Sequence, residues 1–109
     1  MSLEKTEAEC AANAIAPRVS LDDIEKAIAA EYSFTADDAI QNAPGHPSLR
    51  LLTLCLIVMK NGFVVVGKSA PASPANFNRE LGAKLAREDA IRQLWPLMGY
   101  ALREHLQSE

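Results

Sequence analysis

The sequence predicts an α+β fold, in which an antiparallel sheet around a hairpin at residues 50–70 is packed by two C-terminal helices. The first observation is the dipeptide Asn61-Gly62 between two apolar, strand-forming runs, a strong signal for a β-hairpin. The second is an amphipathic segment that follows Ser73-Pro74 and continues to the C-terminus. The third is an apolar stripe over residues 21–32, which predicts a short N-terminal helix.

The hairpin is expected to turn through Asn61 and Gly62 alone, since a two-residue type I′ loop favours these residue types. Lys60 then faces Phe63, and the pairing continues outward. Both sides of the ribbon are apolar near the turn, so both need a cover. The C-terminal helices can cover one side. We expect the N-terminal segment or another subunit to cover the second side, which predicts a homo-oligomer.

The C-terminal segment begins with Ser73 as the predicted N-cap and Pro74 at the first helical position, where its missing N–H costs nothing. Further along, Pro96 removes a backbone donor from the helical pattern. We therefore expect two helices, at residues 74–94 and 97–107.

The N-terminal residues 1–17 show no sustained apolar period, and we expect a flexible segment there. Residues 18–109 are expected to form a single domain, as suits a chain of 109 residues. Ser20 and Asp23 have the spacing of an approximate capping box, which indicates where the helix at 21–32 begins.

Composition and charge narrow the class of protein. The net charge is −3, which argues against a general DNA-binding protein, and the 6% aromatic content argues against single-stranded nucleic acid as a partner. Charge is uneven: residues 1–59 hold four Lys/Arg against nine Asp/Glu, whereas residues 60–109 hold seven against five. The longest apolar run, residues 51–59, is too short to cross a membrane. Without a secretory leader pattern, a cytoplasmic protein is expected.

The reactive residue types form no catalytic or metal-binding pattern. Cys10 and Cys55 are expected to be free thiols. His46 and His105 are isolated from each other and from cysteine, so no metal site is predicted. The triplet at residues 67–69, Gly-Lys-Ser, lacks the glycine loop of a Walker motif and the second glycine of a nucleophile elbow. The sequence therefore predicts a protein that is not an enzyme and has no cofactor.

Several short motifs, taken in their order and spacing, resemble a family of small proteins encoded by tailed phages and prophages, many without an assigned function. The motifs cover roughly residues 50–106. They are Lys60-Asn61-Gly62-Phe63, Val66-Gly67-Lys68-Ser69-Ala70, Ser73-Pro74-Ala75-Asn76-Phe77, Gly82-Ala83-Lys84-Leu85-Ala86-Arg87-Glu88-Asp89-Ala90 and Trp95-Pro96-Leu97-Met98-Gly99-Tyr100-Ala101-Leu102.

That family is in turn similar, in its order of antiparallel strands followed by two helices, to phage anti-defence proteins of the first Thoeris-inhibitor type. Those proteins assemble from several subunits and sequester cyclic nucleotide signals without cleaving them. The resemblance implies a non-enzymatic anti-defence protein with a cyclic nucleotide site at a subunit interface. The alternative is a protein-interaction module that docks on a host protein through the hairpin edge or an acidic N-terminal helix.

A nucleotide site needs an apolar face for the base and cations or N–H groups for the phosphates. Phe77 could supply the face, although its helical spacing also suits core packing. The N-terminus of the predicted helix, residues 73–76, could bind an anion through its backbone N–H groups. Arg79 and Arg92, like Arg87 and Arg103, are candidate phosphate partners. The candidate ligand-binding residues are Phe77, Asn76, Arg87, Asp89, Lys68 and Arg103.

Overall fold

The computed structural model describes residues 2–13, 16–41 and 44–108. Its sheet has three antiparallel strands in the spatial order β1-β2-β3, with β2 in the middle. The strands are β1 Ile28–Thr35, β2 Thr53–Met59 and β3 Val64–Ser69. The α-helices are α1 Leu3–Asn13, α2 Leu21–Lys26 and α3 Arg79–Ser108. Short 3₁₀ turns lie at Ala36–Ala39, Pro47–Leu51 and Pro74–Asn76. The predicted α+β class is confirmed.

The core lies between α3 and one side of the sheet, which we call the inner face. Cys55 and Ile57 of β2 are fully buried there against Ile91 and Leu94 of α3. Ile24 of α2 belongs to the same cluster, as does Leu3 of α1. The helices thus cover one side of the sheet. None of the helices within the described ranges is long and apolar enough to cross a membrane.

The closest approach of α3 to the sheet is at Gly67 in β3. A Cβ atom at this position would lie 1.9 Å from the backbone oxygen of Ala86 and 2.6 Å from the backbone nitrogen of Ala90. No side chain fits between strand and helix here, so glycine permits the contact.

The hairpin is present, but the predicted register is wrong by one residue. Leu56 pairs with Val66, and Cys55 pairs with Gly67. The Met59 N–H donates to the Phe63 carbonyl, so Met59 faces Phe63 and the loop between them is longer than two residues. Only glycine has positive φ in the described chain, Gly62 at 89°. The observed register points Gly67 at α3, whereas the predicted one would have turned Val66 and Lys68 into that contact.

The prediction of two C-terminal helices is also wrong, since a single α-helix passes through Pro96. Pro96 is exposed, and one lost hydrogen bond is outweighed by the core contacts of Leu94 before it and Met98 after it. The helix begins later than predicted. Ser73 starts only a 3₁₀ turn and makes no side-chain cap there, whereas Asn78 precedes α3 and its Oδ1 accepts from the Leu81 N–H at 3.1 Å.

The predicted helix at residues 21–32 is shorter than expected. Its capping box is confirmed, since the Ser20 and Asp23 side chains each accept a hydrogen bond from the other's backbone N–H. The helix ends at Lys26, however, and the chain continues as β1. Backbone pairing of residues 28–35 with β2 outweighs the helical spacing of the apolar residues in this stretch.

The N-terminal segment contains a helix that the sequence pattern does not predict. Residues Leu3–Asn13 are helical, and Leu3 belongs to the core cluster. Glu7 accepts a hydrogen bond from the Leu21 N–H and pairs with Arg18, which ties α1 to the start of α2. Residues 1, 14 and 15 lie outside the described residues, and the flexibility of the segment stays a prediction.

Candidate functional site

Two of the predicted ligand residues line the same small cavity. Asn76 and Phe77 lie in the connection from β3 to α3, beside a cavity of about 100 Å³ that is also lined by Thr53 and Gly82. Sites for drug-sized ligands usually measure roughly 300–1,000 Å³. This cavity can therefore accept a small group, but it cannot enclose a nucleotide.

The Thr53 hydroxyl is the unusual polar group of this cavity. Thr53 is only 3% exposed, and its Oγ1 has no hydrogen-bond partner among the described residues. Gly82 makes room for it, because a Cβ there would lie 2.7 Å from that oxygen. A buried hydroxyl without a partner destabilises the fold by about 1–3 kcal/mol.

The N–H groups predicted to seat an anion at residues 73–76 are partly used within the chain. The Asn76 N–H donates to the Ser73 carbonyl at 3.0 Å, and the Phe77 N–H donates to the Pro74 carbonyl at 3.2 Å. These bonds close the 3₁₀ turn that precedes α3.

Arg87 lies on α3 and is held by two carboxylates. Its Nε donates to Glu31 Oε1 of β1 at 2.7 Å, and its Nη2 donates to Glu25 Oε2 of α2 at 2.7 Å and to Glu31 Oε2 at 3.0 Å. The bond from Arg87 lowers the pKa of Glu31, and the two carboxylates raise the pKa of Arg87. Arg87 thus joins three elements, and its guanidinium is already engaged by acids.

Asp89 and Lys68 are adjacent, but through the backbone of Lys68. The Lys68 N–H donates to Asp89 Oδ2 at 2.9 Å, and four residues along α3 the Gln93 amide donates to the Val66 carbonyl at 2.7 Å. Two helix side chains therefore occupy backbone groups of β3, the outer strand of the hairpin. Arg103 lies farther along α3 on its exposed C-terminal part. The structure does not bring the six predicted residues together.

A larger cavity lies between α1 and α3, and we call it the α1–α3 cavity. Its volume is about 380 Å³, within the usual range for small-molecule sites. Arg92 and Trp95 line it from α3, Arg18 lines it from the α1–α2 connection, and Thr6 and Cys10 line it from α1. The cavity thus places an arginine next to an aromatic ring.

Two of these side chains already have partners. The Trp95 indole N–H donates to the Val19 carbonyl at 3.0 Å, which fixes the orientation of the ring, and Arg18 is paired with Glu7. Arg92 is exposed at this site. Arg92 is one of the arginines that the sequence offers as phosphate partners, whereas Trp95 is not among the candidate ligand residues. Their spacing of three residues on one helix makes them neighbours. The cavity beside them also needs α1, a helix that the apolar pattern does not indicate.

A third, mostly apolar groove runs between the hairpin loop and the distal half of α3. It measures about 470 Å³ and is lined by Met59, Phe63, Leu97 and Met98, with Lys60 at the loop. Over residues 2–13, 16–41 and 44–108, no three His, Cys, Asp or Glu side chains are placed to hold a metal ion. Both cysteines are free, Cys10 exposed and Cys55 buried.

A three-stranded antiparallel sheet under one long helix defines a small α+β protein. A family model described as "Phage protein (N4 Gp49/phage Sf6 gene 66) family" matches residues 19–106. The chain belongs to this phage protein family. No curated protein and no solved structure matches it.

Proposed function

We propose that this phage protein acts without catalysis, by binding and sequestering a cyclic nucleotide signal in the α1–α3 cavity as part of an anti-defence role. The observation that carries the proposal is the placement of Arg92 and Trp95 side by side in a cavity of about 380 Å³. Arginine suits a phosphate, and an indole ring suits a base. The anti-defence role rests on the resemblance to Thoeris-inhibitor sponges drawn from the sequence; the structure has the antiparallel strands of that pattern, but one C-terminal helix instead of two.

The proposal moves the ligand away from most residues that the sequence singled out. Arg87 is paired with two carboxylates, and a phosphate would have to displace them. The cavity at Phe77 is too small for a nucleotide. Arg92 has neither of these obstacles.

The experiment uses Trp95, the single tryptophan of the chain, as its own probe. Cyclic ADP-ribose isomers and cyclic di- and trinucleotides are titrated at micromolar protein, with tryptophan fluorescence and calorimetry as readouts. A ligand in the α1–α3 cavity changes the emission of Trp95 and releases or absorbs heat. Absence of both signals with every compound would contradict the proposal.

A pair of arginine variants locates the site. Arg92→Ala is expected to weaken binding by about 10-fold or more, because a charged hydrogen bond contributes about 1.5–3 kcal/mol. Arg103→Ala, on the same helix but outside the cavity, is the matched control and should bind as the wild type does. Equal losses in both variants, or a loss only in Arg103→Ala, would place the site elsewhere.

The alternative of docking on a host protein has less geometric support. Strand addition at the hairpin edge would compete with Asp89 and Gln93 for the backbone of β3. The acidic N-terminal helix of this alternative is α2, and its acids are engaged within the chain. Asp22 pairs with Lys26, Asp23 caps the helix, and Glu25 pairs with Arg87. We therefore place the cyclic nucleotide first.

A further inference from the structure

The side of the sheet opposite α3, which we call the outer face, is almost entirely apolar. The register places its residues in three rows across the strands, with Tyr32–Leu56–Val66 in the middle. The flanking rows are Ala30–Val58–Val64 and Phe34–Leu54–Lys68. Eight of these nine positions are apolar or aromatic, and the one charge, Lys68, lies at a corner.

This face is left open by the described fold. Tyr32 is 58% exposed, and Val64 and Val66 are nearly half exposed. The β2 positions of the face are half-buried, in contrast to the fully buried inner residues Cys55 and Ile57. A sheet with two apolar faces normally has a cover on each of them.

The size of the outer face is comparable to a functional patch. The face is three strands wide, with about 4.8 Å between strands, and its three rows together extend about 20 Å along the strands. These dimensions give a plane of roughly 300 Å². Contiguous apolar patches of about 300–600 Å² on a monomer are often functional. Two such planes in contact give about 600 Å² before the relief of their side chains is counted, below the roughly 1,200 Å² of a standard interface, so the pair is expected to be weak.

We propose that the outer face binds the outer face of a second copy of this chain. The face is flat and uncharged apart from one corner, so it is complementary to itself in a two-fold arrangement. The result is a sandwich of two three-stranded sheets about 10 Å apart, with the helices on the outside. Lys68 can extend its charged end to solvent at the corner.

The chemistry of the chain disfavours an anionic membrane as the occupant. Membrane-surface binding of this kind usually combines an apolar face with a cluster of basic residues. Here the outer face has the single Lys68, and the chain has a net charge of −3. The modest area predicts a dimer of micromolar affinity.

The inference deepens the proposed function by naming the surface that joins two subunits, and it rests on that function only for the expectation of an oligomer. The α1–α3 cavity lies on the helical side of the sheet. Self-association is measured without nucleotide, so a failed dimer test and a failed nucleotide titration are distinguishable.

The experiment is sedimentation velocity of the full chain from about 1 to 500 µM, a range that brackets micromolar dissociation constants. Tyr32→Glu puts a charge in the middle row of the outer face and is expected to weaken the dimer by at least about 10-fold. The control is Tyr100→Glu, because Tyr100 is a 71% exposed tyrosine on α3. It should dimerise like the wild type.

A second variant keeps the test decisive if Tyr32→Glu fails to fold. Val66→Lys changes the same row on a different strand and is expected to weaken the dimer similarly. Circular dichroism checks the fold of each variant. A wild type that stays monomeric throughout the range overturns the inference, as does a dimer that folded Tyr32→Glu or Val66→Lys leaves unchanged or one disrupted by Tyr100→Glu.

Discussion

At the residue scale, Gly67 sets how closely the long helix approaches the sheet. Backbone atoms of Ala86 and Ala90 occupy the space of a side chain at this position. We expect Gly67→Ala to lower the free energy of unfolding by about 3 kcal/mol or more, because helix and strand must separate. Urea unfolding followed by circular dichroism measures the change.

The matched control is another glycine-to-alanine change with free space. Gly99 lies inside α3, and a Cβ there would meet nothing within 4 Å. Gly99→Ala should therefore stabilise the protein by up to about 1 kcal/mol through helix propensity. A Gly67→Ala protein as stable as the wild type would show that the contact is looser than described.

At the element scale, Arg87 links α3 to β1 through Glu31. The hydrogen bond from Arg87 lowers the pKa of Glu31 in the folded protein below its ordinary value of 4.5. The link therefore stabilises the fold fully above the ordinary value, and this contribution is lost as the pH falls through the lowered folded pKa. Acid should weaken the fold in part through this carboxyl.

The corresponding variant is Glu31→Gln. At pH 7 it should be less stable than the wild type by at most about 1 kcal/mol, since the Glu31 side chain is more than a third exposed. The difference should be smaller at about pH 3 than at pH 7, because the contribution is lost as the pH falls through the lowered pKa of Glu31. The control is Glu104→Gln, at an exposed position far along α3, and urea unfolding should show a free energy within about 0.5 kcal/mol of the wild type. A gap for Glu31→Gln that persists in acid would count against the link.

Local patterns predicted some elements well and others poorly. The capping box at Ser20 and the hairpin at Asn61-Gly62 depend on neighbouring residues, and both are confirmed. The register depends on α3, which requires Gly67 to face it. Strand β1 was missed because its stability comes from pairing with β2, a partner distant in sequence. Such long-range terms are not visible in a local pattern.

The candidate site shows the same contrast between local contacts, which the sequence predicts, and long-range contacts, which it does not. Phe77 and Asn76, neighbours in sequence, do share a cavity. Arg87, another of the candidate ligand residues, is engaged by Glu25 and Glu31, which lie more than 50 residues earlier in the chain. No local feature of the sequence indicates those acids as its partners.

At the scale of the whole molecule, the shape is elongated by α3. The molecule measures 54 × 28 × 17 Å with a radius of gyration of 16.6 Å, against about 13 Å for a compact chain of this length. The fully buried residues of α3 end at Leu94, and residues 103–108 are exposed. The last turns of the helix therefore extend beyond the core.

Truncation tests this division of the helix. A chain that ends after Leu102 should unfold within about 2 °C of the full chain, because it loses no buried side chain. A chain that ends after Gln93 loses Leu94 and Trp95 from the core and should not fold. Differential scanning calorimetry compares the three proteins, and a large drop for the first truncation would contradict the division.

The bonds from Asp89 and Gln93 to β3 affect how copies of this protein can accumulate. A strand edge with unpaired backbone groups lets further chains add as extra strands, and repeated addition leads to fibres. On the β3 side of the sheet, such backbone groups are bonded to Asp89 and Gln93 of the protein's own α3. In the proposed dimer, copies that meet through the outer face form closed pairs instead, so concentrated solutions are expected to remain clear.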